Sequence, residues 1–307
     1  MQFVSYQANG LRRTGVLQGG CVLDVSDLID GISFGEAAGA ALALHGIVPA
    51  PGGLLRWLQA GEAEREAVAT TIRERLGSGT GTLPAIETLQ LQPPVGRPGK
   101  IVGVGRNYAD HAKETGVDPF EKPRIIFKVS SSVTGSGATV RKPAPVQKMD
   151  FEGELAVVIG SFATAVSVEE ALRHVGGYTL LNDISAREFQ FDISPPQTTF
   201  AKSMDGFCPL GPALVTSDEV PDPQALRLRT RVNGKVVQDA TTADMLFPVA
   251  VLISYVSQYM TLEPGDVIAT GTPAGIGAFR KPPVWLAPGD RVEVSIDPLG
   301  TLVTVIG

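Results

Sequence analysis

The sequence predicts a strand-rich α+β fold of the β-barrel or β-sandwich type, with a small α+β domain in front of it. Three observations carry this. Short apolar runs bounded by turn residues recur from residue 100 to the end, while helical patterns between them are few, which argues against a doubly wound α/β sheet. The chain holds 35 Gly and 23 Pro, so turns are frequent. At 307 residues it exceeds the usual single core, which suggests one large domain and one small one.

The elements follow in order. Residues 2–6, 15–17 and 21–25 read as short strands, with Gly19-Gly20 as a turn. Helical segments are expected at 34–44 and 53–76, the second with Leu54, Leu55, Leu58 and Ala67 on one apolar face. Residues 77–98 are rich in Gly, Thr and Pro and read as a linker. The expected units are therefore 1–95, a small accessory domain, and 96–307, the main domain. The main domain opens with a buried strand at 100–105. Further strands are expected near 124–129, 154–159, 178–183, 212–216, 227–232, 266–270, 291–296 and 301–306. Val232-Asn-Gly-Lys235 is a hairpin signal. Helices are expected only at 108–115, 167–174 and 247–260.

Composition removes several classes of function. Hydrophobic residues make up 43% and charged residues 19%, a globular balance. The net charge of −6, with positive charge scattered, argues against a nucleic-acid partner. Two cysteines, Cys21 and Cys208, make no disulfide framework and suit a reducing cytosol, so a cytoplasmic protein is expected. The first residues lack the basic-then-apolar layout of a signal peptide. No apolar stretch approaches the ~18 residues of a membrane span. Residues 247–260 contain Ser254, Ser257 and Gln258 and read as a core-facing helix.

The most telling stretch is Asp150-Phe-Glu-Gly-Glu154 at the head of the apolar run Leu155–Ile159. Residues two apart on a strand share a face, so Glu152 and Glu154 project together beside a core, where like charges repel. A divalent cation resolves that repulsion. Asp183 ends another apolar segment and supplies a third carboxylate. Three carboxylates with no Cys or His nearby form a hard-cation set, for Mg²⁺ or Mn²⁺.

Other constellations are weaker alone. Gly103-Val-Gly105 follows a strand, but Tyr108 stands where a dinucleotide fingerprint needs its third glycine. In Arg106-Asn-Tyr-Ala-Asp-His-Ala-Lys-Glu114, His111 and Glu114 share a helical face, and a carboxylate partner makes an imidazole a usable base near neutral pH. Arg106 and Tyr108 of this motif are candidate substrate contacts. His45 and His174 read as structural. Arg187, Gln190 and Lys202 follow Asp183 closely enough to surround a metal, and a lysine there adds charge where negative charge develops. Ala269-Thr-Gly-Thr-Pro-Ala-Gly-Ile-Gly277 is a Gly/Thr loop at a strand end, of the kind that offers backbone N–H groups to anions.

Taken together, the segments resemble the fumarylacetoacetate hydrolase family. The matching pieces are Gly105-Arg-Asn-Tyr-Ala-Asp-His111, Phe151-Glu-Gly-Glu-Leu-Ala-Val-Val-Ile-Gly160, Asn182-Asp-Ile-Ser-Ala-Arg187, Phe207-Cys-Pro-Leu-Gly-Pro212, Val232-Asn-Gly234, Leu262-Glu-Pro-Gly-Asp-Val-Ile268 and Thr270-Gly-Thr-Pro-Ala-Gly275. They occur in the family's order over 100–307. The resemblance implies a mixed β-roll or barrel catalytic domain, usually in a homodimer, and an accessory N-terminal domain as in the longer members. It implies Mg²⁺ or Mn²⁺ held by Glu152, Glu154 and Asp183, and a His–Glu dyad at His111 and Glu114. It further implies Lys202, Gln190, Arg187 and Thr272 contacting substrate or ordering water. Met204 stands where the family usually has Phe, and residues 191–197 depart from the common loop.

The expected chemistry is metal-dependent hydrolysis of a C–C bond in a 2,4-dioxo acid of the acylpyruvate type, giving a carboxylic acid and pyruvate. In it His111 activates water, Glu114 orients His111 and Lys202 stabilises the oxyanion. Oxaloacetate decarboxylation and isomerisation of a dioxo acid are the alternatives within the same site. A non-catalytic binding protein of the same fold is the more distant one.

Overall fold

Strands run from the first residues to the last in the computed structural model, which describes residues 1–79, 83–114, 116 and 118–307. In chain order they are β1 (Gln2–Ala8), β2 (Leu11–Gln18), β3 (Cys21–Asp24), β4 (Gln90–Gln92), β5 (Ile101–Gly105) and β6 (Arg124–Lys128). They continue with β7 (Val133–Thr134), β8 (Thr139–Val140), β9 (Met149–Asp150), β10 (Gly153–Ile159), β11 (Val175–Asn182) and β12 (Ser185–Ala186). The last are β13 (Cys208–Thr216), β14 (Arg227–Val232), β15 (Lys235–Thr241), β16 (Val267–Ala269), β17 (Arg291–Ile296) and β18 (Gly300–Ile306). The helices are α1 (Ser26–Asp30), α2 (Glu36–Leu44), α3 (Gly53–Gln59), α4 (Glu62–Gly77), α5 (Ala109–Glu114), α6 (Val168–Ala171), α7 (Glu188–Phe191), α8 (Thr198–Ala201) and α9 (Val249–Ser257).

An 11-stranded sheet runs β3-β2-β1-β13-β11-β10-β16-β5-β6, with β4 added to β1 and β7 to β13. A 5-stranded sheet runs β15-β14-β17-β18-β8, and β9 pairs with β12. The central strand β10 is buried along its whole length, and its period of two divides it between two cores. Leu155, Val157 and Ile159 pack with Val249, Leu252 and Ile253 of α9 and with Leu228, Val294 and Ile296 of the smaller sheet. Ala156 and Val158 pack with Leu54, Trp57 and Leu58 of α3 and Ile72 of α4.

The strand-rich α+β class is thus the one expected, but the sheets are stacked and not closed into a barrel. The side of β13 away from β11 is taken by β1, which carries β2 and β3 outward, so β3 and β6 remain the two ends of the large sheet. Across the expected boundary after residue 95, β1 pairs with β13, Phe3 opposite Leu214, while β4 pairs with β1 inside the first 95 residues. The helix expected at 53–76 is two helices, broken where Ala60 turns extended and Gly61 caps α4. Part of the expected linker, residues 80–82, lies outside the described residues, as does residue 115 at the end of the helix expected at 108–115. The rest of the linker contains β4. Among the expected helices, 167–174 is α6 followed by a 3₁₀ turn, and 247–260 shortens to α9, which starts after Pro248. The short helices α7 and α8 were not foreseen; they flank the divergent loop 191–197.

Asn107 ties the site's supports together. Its buried amide donates to Phe247 O (3.0 Å) and Thr270 O (2.8 Å) and accepts from Phe247 N (2.8 Å). The entry to α5 is thereby fixed to the start of the Gly/Thr loop and the approach to α9. Both cysteines are free thiols, and burial pushes Cys208 up to about 12.

Candidate active site

Strand register brings the carboxylates together. Gly153 of β10 pairs with Asn182 of β11, so the residues just beyond them, Glu152 and Asp183, lie side by side. Asp183 N donates to Glu152 O (2.8 Å), and Glu152 N donates to Asn182 Oδ1 (3.2 Å). Glu154, two residues on, projects to the same place. The three side chains are buried and offer oxygens all within 4.8 Å of one another.

Cations surround this set unequally. Lys202 Nζ donates to Glu152 Oε2 (2.7 Å), Asp183 Oδ2 (2.6 Å) and Ser185 Oγ (2.9 Å). Lys128 Nζ donates to Asp183 Oδ1 (2.6 Å), Phe207 O (3.0 Å) and the carbonyl of Lys202. Arg187 donates through Nε to Asp150 Oδ2 (2.9 Å) and through Nη1 to Gln190 Oε1 (2.8 Å). Its Nη2 lies 2.7 Å from Glu152 Oε1, an ion pair without hydrogen-bond alignment. Burial works to raise the Glu152 pKa, yet Lys202 and Arg187 outweigh it and hold Glu152 below the carboxylate range. Burial likewise works to lower Lys202, and Asp183 and Glu152 overcome it and raise the ammonium pKa.

Glu154 is different. It has no ion pair among the described residues and accepts one hydrogen bond, from Gly271 N (2.8 Å). Burial, then the charges of Asp183 and Glu152, raise its pKa well above the usual range. An all-oxygen set short of one positive charge fits a hard divalent cation, Mg²⁺ or Mn²⁺.

The dyad lies on α5. His111 Nδ1 is 3.2 Å from Glu114 Oε2, and Glu114 accepts from Gly275 N at 3.1 and 3.3 Å, so the Gly/Thr loop holds the carboxylate that orients the imidazole. Thr272 Oγ1 donates to Gly153 O (2.9 Å), between the two glutamates, and accepts from Gln238 Nε2 (2.7 Å). The loop's N–H groups thus serve Glu154 and Glu114, carboxylates of the chain itself.

These groups line one cavity of about 330 Å³ with Arg106, His111, Arg124, Lys128, Glu152, Glu154, Asp183, Arg187, Gln190, Lys202 and Thr272 on its wall. Glu114 stands behind His111. Tyr108, expected to meet substrate, does not line it: a bridge to Met245 turns the ring into the core, where it is 1% exposed. His45 stacks on Phe162 with ring centroids 4.2 Å apart, and His174 Nδ1 meets Ser161 Oγ at 3.0 Å, both away from the cavity. A wider groove of about 740 Å³ near residues 50–55, 89–97 and 133–138 has Arg12 and Arg97 but no carboxylate or histidine.

Sequence reasoning missed Asp150, Lys128, Arg124 and Gln238. Asp150 is wholly buried and accepts from Arg187 Nε, Gly277 N (2.8 Å) and Ala278 N (3.0 Å), which fixes Arg187 to the loop's far end. It stood within the quoted acidic stretch, and its spacing of two from Glu152 was the available signal.

Comparison with known proteins agrees with the geometry. Residues 100–306 match the family profile described as Fumarylacetoacetate (FAA) hydrolase C-terminal. The chain is 42% identical over 269 residues to the mitochondrial oxaloacetate tautomerase FAHD2A of Bos taurus, covering 87% of this chain and 84% of that protein. It is 44% identical to the oxaloacetate tautomerase YisK of Bacillus subtilis, covering 73% and 75%. The maleylpyruvate hydrolase of Sphingobium sp. SYK-6, solved with manganese(II) and pyruvate, superposes with a TM-score of 0.76 at 28% identity, over 100% of this chain and 98% of that one.

Proposed function

The chain belongs to the fumarylacetoacetate hydrolase family, and on that premise we propose that it is an enzyme interconverting the keto and enol forms of a 2-oxo acid of the oxaloacetate type. The observation that carries the reading is the meeting, in one cavity, of a hard-cation carboxylate set with a single imidazole backed by a carboxylate. Glu152, Glu154 and Asp183 would hold the cation, which when bound would supply Lewis-acid positive charge to the site. His111 takes the proton from C3, and Glu114 keeps the ring oriented and its second nitrogen occupied. Lys202 keeps a full positive charge beside the oxygen on which negative charge grows. A proton returned to that oxygen completes the enol; the reverse path restores the ketone, with no other bond made or broken. Arg187, Gln190 and Thr272 position the acid.

Hydrolysis of an acylpyruvate is the second reading. The half-buried His111–Glu114 pair favours it, because the same base suits a water molecule, and the Sphingobium neighbour is named a hydrolase. Water would add to the 4-carbonyl, the C3–C4 bond would break, and a carboxylic acid and pyruvate would leave. We further propose that the chain acts as a cytoplasmic homodimer and that residues 1–95 are an accessory module; the tautomerase FAHD2A of Bos taurus is named mitochondrial.

One experiment separates these readings. Enol absorbance and pyruvate are followed together, with and without Mg²⁺, for oxaloacetate and a set of acylpyruvates. Metal-dependent loss of enol without pyruvate, reduced about 10²–10⁴-fold in His111→Asn, is expected. Pyruvate from an acylpyruvate would replace this reading with the hydrolase. Pyruvate from oxaloacetate that survives His111→Asn would replace it with a decarboxylase.

A further inference from the structure

Most cations of the cavity are spoken for. Lys128 and Lys202 are bonded to Asp183, Lys202 also to Glu152, and Arg187 to Asp150. Arg106 and Arg124 also line the cavity, and neither has an ion pair among the described residues.

Their placement is set by the backbone. Arg124, Ile126 and Lys128 are spaced by two on β6, share its face and all line the cavity. Lys128 marks the carboxylate end, since its ammonium is 2.6 Å from Asp183 Oδ1. Arg124 sits four residues back, ~13 Å along the strand at ~3.3 Å per residue. It pairs across the sheet with Gly105, the residue before Arg106, which brings the two arginines to the same end of the cavity. Arg106 follows Gly105 directly in a left-handed conformation, φ 58°, and its guanidinium lies over the Phe120 ring at 5.7 Å. Burial, and then the charge of Arg124, lowers the Arg106 pKa, so the two cations feel one another. Two guanidinium groups without an ion pair among the described residues, Arg106 half-buried and Arg124 exposed, thus stand at the end of the cavity away from the metal ligands, placed to receive an anion.

We propose that Arg106 and Arg124 form the distal-carboxylate subsite, which makes the enzyme selective for 2-oxo dicarboxylic acids over 2-oxo acids with a neutral tail. The inference rests on the reading of the cavity as a 2-oxo acid site and names its substrate class. Arg124 is the specificity-determining residue, since its side chain takes no part in the proton transfer.

The test is calorimetric binding to Mg²⁺-loaded protein of 2-oxoglutarate, of 2-oxopentanoate, which has the same carbon count and no terminal carboxylate, and of pyruvate. The wild type is expected to bind 2-oxoglutarate about tenfold or more tighter than 2-oxopentanoate. Arg124→Gln and Arg106→Gln should remove that preference while pyruvate affinity stays within about twofold of wild type, and Arg124→Lys should restore part of it. Unchanged pyruvate affinity also reports that the variants fold. Equal binding of the two five-carbon acids by the wild type overturns the subsite, as does an Arg124→Gln loss shared equally by pyruvate. If none of the three acids binds the wild type, the 2-oxo acid reading itself fails and takes the subsite with it.

Discussion

Glu154 is the carboxylate whose charge the protein leaves uncompensated, and this gives metal binding a pH dependence. Its pKa is raised in the metal-free protein, so below that pKa the group carries a proton that the cation must displace. Mg²⁺ affinity should therefore rise with pH, by about tenfold per unit, until the pH passes the Glu154 pKa, and then level off. Glu154→Gln should bind Mg²⁺ weakly and without this slope. Calorimetric titrations with Mg²⁺ across the pH range check both, and a flat wild-type profile would sink the assignment. At this scale the sequence was legible where chemistry and local spacing coincide: Glu152 and Glu154 share a strand face, and His111 and Glu114 are three apart on a helix. It was opaque where a role comes from a distant strand. Lys128 has no acidic neighbour in the chain and meets Asp183 only through folding. Tyr108 misled for the opposite reason. It stands among polar residues, but the core claims its ring.

Among the elements, β15 shows how a strand without site residues supports the site. Gln238 on β15 is 2% exposed and accepts from Gly153 N (3.1 Å) while donating to Thr272 Oγ1 (2.7 Å) and Pro273 O (2.8 Å). It joins the start of β10, between the two glutamates, to the Gly/Thr loop. Gln238→Ala leaves buried partners unmatched, at about 1–3 kcal/mol each. We expect a lower thermal midpoint and a Mg²⁺ affinity several-fold weaker, because Gly153 is no longer held between Glu152 and Glu154. Unaltered midpoint and affinity would show the bridge to be dispensable. Strands read well from the chain because apolar runs between turn residues are local signals. The closing of 53–76 into one helix failed at Gly61, which caps a new helix instead of interrupting an old one. Short α7 and α8 have too few residues to leave a periodic pattern.

At the scale of the molecule, the N-terminal residues and the catalytic segment share a core. Leu54, Trp57, Leu58 and Ile72 cover Ala156, Val158, Leu181, Leu210 and Leu214, and β1 completes the hydrogen bonding of β13. Residues 96–307 alone should expose this apolar face and lose cooperative unfolding, which calorimetry and light scattering of the truncated chain test. A soluble fragment with an intact unfolding transition and full activity would make 1–95 a separable domain. Such sharing was hidden in the sequence, because β1 meets β13 across more than 200 residues. Among the described residues the large sheet also ends at β6, which pairs on one side only, with β5. A terminal strand can exchange its residues without unsettling a second neighbour. Positions 124 and 126 are therefore free to drift while the carboxylates, fixed on the crowded strands β10 and β11, stay put. Divergence of substrate range at constant chemistry would then begin at this rim, on the border strand of the scaffold.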